Sequence, residues 1–163
     1  VALVALVLGV ATPDAGAANV AAANNFGAAP ALATGNGVYR GDNARATRQP
    51  GEPDHVNGNA GGASVWYTYR RSTTASIRLS LQGSNFDTEL AVYRGTTLNN
   101  LNEVTSNDDD DIPSDPCWSL VEFTAHANVT YRIVIDGYNN SDDAADRPDT
   151  RRGAYVLHVT RLT

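Results

Sequence analysis

The sequence predicts an all-β fold, a jelly-roll-like, two-sheet antiparallel β-sandwich of about eight strands. Three observations carry this. Apolar and polar residues alternate through several short segments, the pattern of strands with one buried face. No segment sustains the stripe of an amphipathic helix. Asn, Asp, Gly and Thr are abundant between the apolar segments, where each favours turns.

Residues 18–36, rich in Ala, Asn and Gly, read as an extended lead-in. Residues 37–47 supply a first, irregular strand, and residues 48–62, punctuated by Pro50 and Pro53, form a loop. Val65, Tyr67 and Tyr69 then alternate with Trp66, Thr68 and Arg70. Trp66 and Tyr67 therefore point to opposite sides of one strand, and at least one belongs to the core. Ile77, Leu79 and Leu81 alternate with Arg78 and Ser80. Residues 88–94 are more continuously apolar, as expected of a central strand. Residues 103–106 are short enough for an edge. Val121 and Phe123 share a face of the next strand; Tyr131, Ile133 and Ile135 share one of the strand after it, with Val134 opposite. Asp136-Gly137 reads as a turn, Asp capping the backbone and Gly taking positive φ. A charged loop over residues 139–152 precedes Tyr155, Leu157 and Val159, the closing strand.

The 163 residues suit one domain with a sizeable core, here residues 18–163. A net charge of −6 argues against nucleic acid, whose phosphates require a basic face. Residues 1–8 are apolar, too few to span a bilayer as a helix. With Pro13 and the small-residue site Ala15-Gly16-Ala17, residues 1–17 read as a truncated secretory signal peptide, cleaved after Ala17. Secretion to the extracellular space follows from that reading. The alternative is a retained apolar strand, donated to a neighbouring copy in a self-assembling filament. Cys117 is the only cysteine, so no intrachain disulfide can form. It reads as a partly buried small apolar residue, with intermolecular pairing as the alternative.

Catalytic signatures are missing. His55, His126 and His158 form no zinc helix, and no nucleophile elbow or phosphate-cradling glycine loop occurs. Asp87 and Glu89, two apart, share a strand face, but nothing nearby separates them into acid and base. The chain is expected not to be an enzyme. Trp118, beside an acidic loop, is the best exposed aromatic candidate, and packing that closes the loop is its simpler role. Calcium is the better-supported chemistry. Asn107, Asp108, Asp109, Asp110 and Asp111 concentrate hard oxygen donors in one loop, and calcium takes six to eight such oxygens. A solvated acidic turn is the simpler reading of the same run.

Four distinct blocks follow one another along the chain: Gly51-Glu52-Pro53-Asp54-His55 leading into Ser64-Val65-Trp66-Tyr67, then Phe86-Asp87-Thr88-Glu89-Leu90-Ala91-Val92-Tyr93, then Ser106-Asn107-Asp108-Asp109, then Tyr131-Arg132-Ile133-Val134-Ile135-Asp136-Gly137-Tyr138. Together they resemble the bacterial pre-peptidase C-terminal domain, a secreted β-sandwich module often appended to extracellular peptidases. The resemblance implies calcium binding, with Asp87, Asn107, Asp108 and Asp109 as ligands and Asn25, Glu52 and Asp54 as a second group. It also implies an accessory or adhesion role toward an extracellular protein or polysaccharide surface. Where that family often carries a cysteine before Phe-Asp-Thr, this chain has Gln82-Gly83-Ser84, so the family's bridge is lost. Asp110, Asp111 and Asp115 exceed the family's motif.

Overall fold

A computed structural model describes residues 21–56, 58–59, 61–109, 117–139 and 152–163. The apolar N-terminal run and its cleavage site, Asp110, Asp111, Asp115, and residues 140–151 of the charged loop lie outside the described residues. Eight strands form in chain order: β1 Gly37–Asp42, β2 Val65–Arg70, β3 Ala75–Ser80, β4 Thr88–Arg94, β5 Asn102–Asn107, β6 Leu120–Ala125, β7 Thr130–Gly137 and β8 Ala154–Arg161. Helix among the described residues is confined to two three-residue 3-10 turns, Phe26–Ala28 and Leu98–Asn100. No helix among them is long and apolar enough to cross a membrane.

The strands make two four-stranded antiparallel sheets, ordered β1-β8-β3-β6 and β2-β7-β4-β5. Only β4 and β5 are sequential neighbours within a sheet; every other connection crosses between sheets, as in a jelly roll. The expected architecture is present. β4 is an interior strand and β5 an edge, in agreement with their composition.

Period-two alternation explains the main core. Tyr67, Tyr69, Leu90, Val92, Ile133 and Ile135 of one sheet meet Ile77, Leu79, Val121, Phe123, Leu157 and Val159 of the other. Burial on both faces of β4 and of the second half of β7 has a further cause. The outer face of their sheet is also covered, and Phe26, Trp66, Ala91, Tyr93 and Val134 form a smaller core there. Trp66 and Tyr67 are both fully buried, one in each core. Phe26 packs edge-on against Trp66 at 5.2 Å, and the Arg132 guanidinium stacks on Phe26 at 4.2 Å. The lead-in is tied down by backbone pairing of Ala23 with Trp66 and Ala31 with Thr68, which covers the β2 edge.

The expected turn at Asp136-Gly137 is corrected. Both residues are the buried end of β7. Asp136 does cap backbone, but that of the distant 61–63 loop. It accepts from the N–H groups of Gly62 at 3.0 Å and Ala63 at 2.7 Å, besides its neighbour Gly137 at 2.8 Å. Gly61, not Gly137, takes the positive φ (+56°), and a Cβ there would collide with Asp136 Oδ2.

Candidate metal centre

The start of β4, the end of β5 and the segment leading into β6 meet at one end of the sandwich. Asp87 stands immediately before β4, where its carbonyl accepts from Tyr138 N–H at 3.1 Å and prolongs the β4–β7 ladder. Phe86, buried beside it, anchors the approach. Thr88 and Ser119, both fully buried, lock β4 to the β6 approach. Ser119 Oγ donates to the Thr88 carbonyl at 2.6 Å, and Thr88 Oγ1 accepts from Ser119 N–H at 2.9 Å. Asp108 is brought into this junction by its backbone, its carbonyl lying 3.1 Å from Ser119 Oγ.

Asp87, Asp108, Asp109 and Tyr138 line a cleft of about 120 Å³. Ligand atoms of Asp87, Asp109 and Cys117 lie within 4.8 Å of one another. Asp87 is half-buried, and burial raises its pKa to about 7, with the charges of Asp109 and Asp108 adding to the rise. These carboxylates have an arrangement that costs free energy while all are ionised, and a divalent cation would relieve it. Carboxylates are hard donors of the kind that calcium takes, whereas the Cys117 thiol is too soft a donor for it.

The sequence-derived ligands divide. Asp87, Asp108 and Asp109 come together at the cleft. Asn107 sits beside them, but its Oδ1 accepts from Leu120 N–H at 2.9 Å, making the side chain a clamp between β5 and β6. The second group, Asn25, Glu52 and Asp54, does not line this cleft. Asn25 is exposed ahead of the Phe26–Ala28 turn, and Asp54 is exposed and pairs with Arg48 at 2.8 Å. Glu52 is buried and saturated. Its Oε1 accepts from Gln49 N–H at 2.9 Å and Trp66 Nε1 at 3.4 Å, and its Oε2 accepts from Ser64 Oγ at 2.7 Å and His55 Nε2 at 3.3 Å. Burial pushes the Glu52 pKa up, yet the bonds from His55, Gln49 and Ser64 outweigh it and the net direction is down. The other ring nitrogen of His55, Nδ1, lies 3.2 Å from the Tyr93 hydroxyl. Four protein groups therefore meet at this carboxylate.

The expectation for Cys117 is corrected. It is exposed rather than partly buried, at a positive φ of 57°, with its carbonyl accepting from Thr88 N–H. Trp118 is half-buried and donates from Nε1 to the Ser84 carbonyl at 2.8 Å, closing the approach to β6. His158 on β8 has Nε2 at 3.0 Å from the Gln82 carbonyl.

Two acids that the sequence reading left outside its ligand sets lie behind the cleft. Glu89 and Asp136 are both fully buried. Burial raises the Glu89 pKa to about 9, with Asp136, Asp108 and Asp87 adding like charge and Arg48 opposing. Burial likewise raises that of Asp136 against the lowering effect of its backbone bonds. The visible signal was a glutamate inside an otherwise apolar central strand. No protein-family model matches this chain, and no curated protein is significantly similar to it.

Proposed function

We propose that this chain is a secreted, noncatalytic β-sandwich module that binds calcium at the Asp87–Asp108–Asp109 cleft. It serves as an accessory or adhesion domain toward an extracellular protein or polysaccharide surface. The observation that carries the calcium reading is the meeting of three acidic side chains, two of them half-buried, at a cleft where β4, β5 and the β6 approach are held together. A cation there would pin the loop after β5 to the start of β4. It would thereby set the shape of one end of the sandwich, the end available to a partner. Secretion rests on the apolar run and the Ala15-Gly16-Ala17 site, and the accessory role on the resemblance to pre-peptidase C-terminal domains.

The test is calorimetric titration of the chelated protein with calcium, paired with thermal melting. A cation that binds only the folded state adds about 2.7 kcal/mol when free ligand is a hundredfold above Kd. Chelation should therefore lower Tm, and Asp108→Ala should blunt the response. A folded protein that takes up no calcium would remove this reading.

A further inference from the structure

We propose a second cation position behind the cleft, held by the carboxylates of Glu89 and Asp136. Register places the two residues directly opposite each other across β4 and β7. Side chains so paired have Cβ atoms about 4.5–5.5 Å apart and project from the same face of the sheet. That face is the covered outer one, since Ala91 and Val134, two residues further along each strand, belong to the smaller core. Both acids are fully buried there.

Their surroundings differ in the way a ligand position requires. Asp136 is fixed in place by backbone N–H groups of Gly62, Ala63 and Gly137. Glu89 has nothing: neither Oε1 nor Oε2 has a hydrogen-bond partner among the described residues. Arg48 supplies positive charge to the region, but its Nη2 is directed to the Glu52 carbonyl and to Asp54. A buried carboxylate without donors, facing a second carboxylate, is costly in either protonation state. A hard divalent cation between them changes both terms, because two carboxylates and one dication are neutral together and the unpartnered oxygens gain a ligand. Asp87, a residue of the cleft, stands two residues before Glu89 at the start of β4, so the inner position lies next to the cleft along the chain.

The choice of calcium as the cation rests on the proposed function; the position itself rests on Glu89. Equilibrium dialysis of the full chain against calcium alone, with Glu89→Gln and Asp108→Ala, separates the two. The expected result is two cations per chain, falling to one in each variant. One cation, lost in Asp108→Ala and kept in Glu89→Gln, overturns the inner position and leaves the cleft. One cation, lost in Glu89→Gln and kept in Asp108→Ala, supports the inner position and overturns the cleft. No uptake overturns both. A direct readout that needs no variant is anomalous scattering from wild-type crystals soaked in terbium. A peak between Glu89 and Asp136 supports the position, and its absence overturns it.

Discussion

Glu52 and Glu89 are two buried glutamates on the same covered side of the β2-β7-β4-β5 sheet, and they have opposite environments. Glu52 accepts from a backbone N–H, a serine hydroxyl, an indole and an imidazole, and its pKa is lowered despite burial. Glu89 has no donor, faces Asp136, and its pKa rises to about 9. Burial alone therefore does not assign a role to an acid. What separates these two is the donors aimed at Glu52 and missing around Glu89. Glu52 is a structural acceptor that ties together Gln49, His55, Ser64 and Trp66, whereas Glu89 has no partner among the described residues.

The largest effect should come from the satisfied acid. Glu52→Ala leaves His55 Nε2, Ser64 Oγ, Trp66 Nε1 and Gln49 N–H without their acceptor in the interior. Removing one side of such a buried charged cluster costs about 3–5 kcal/mol. Urea unfolding checks it, and a loss below 1 kcal/mol would show that the cluster does not hold the covering loop.

Glu89→Leu should act in the other direction in metal-free protein. A buried polar group without partners costs about 1–3 kcal/mol, so an apolar replacement of similar size should stabilise by that order. In saturating calcium the variant should lose part of the cation-dependent gain in Tm. Equal destabilisation with and without calcium would place Glu89 in the same class as Glu52.

The two acids also predict a slope in pH. Folded Glu89 keeps its proton up to about 9, whereas the unfolded chain releases it above 4.5; Asp87 behaves likewise between 3.8 and about 7. Over those ranges the folded state binds more protons, so metal-free stability should fall as pH rises from about 5 to 9. Glu52 works oppositely: its contribution is present above 4.5 and is lost as pH drops through its lowered folded value. Melting curves across this range should show a maximum near mildly acidic pH, and calcium should flatten the alkaline side. A metal-free protein whose stability rises steadily toward pH 9 would contradict the assignments of Asp87 and Glu89.

How much of this was legible in the sequence depended on periodicity. Alternation in β2, β3 and β6 gave strands and inward faces directly, because a half-buried strand has a period of two. The second core was harder to see. Phe26 and His55 cover the outer face through contacts distant in sequence, so the burial of Trp66, Tyr93 and Glu89 carries no local signature. The Asp87, Asp108 and Asp109 meeting was visible as motif, but the commitment of Asn107 to Leu120 and of Glu52 to its donors was not. A carboxylate that binds a cation and one that accepts hydrogen bonds are the same residue until their neighbours are known.

The smallest expected effect separates those neighbours most sharply. Asp54 is exposed, and its one described partner is Arg48 at 2.8 Å. Exposed ion pairs contribute about 0.2–1 kcal/mol, weakened further by salt. Asp54→Ala should therefore lower stability by less than about 1 kcal/mol, and the calcium-induced rise in Tm should remain as in wild type. Asn25→Ala, at another exposed position, should behave the same way. Asp108→Ala, measured alongside, should show the converse: a blunted calcium response. If Asp54→Ala or Asn25→Ala instead abolishes the calcium response while Asp108→Ala keeps it, the cation belongs at the Asn25–Glu52–Asp54 end. Glu52 would then have to exchange hydrogen-bond donors for metal, and its contrast with Glu89 would fail.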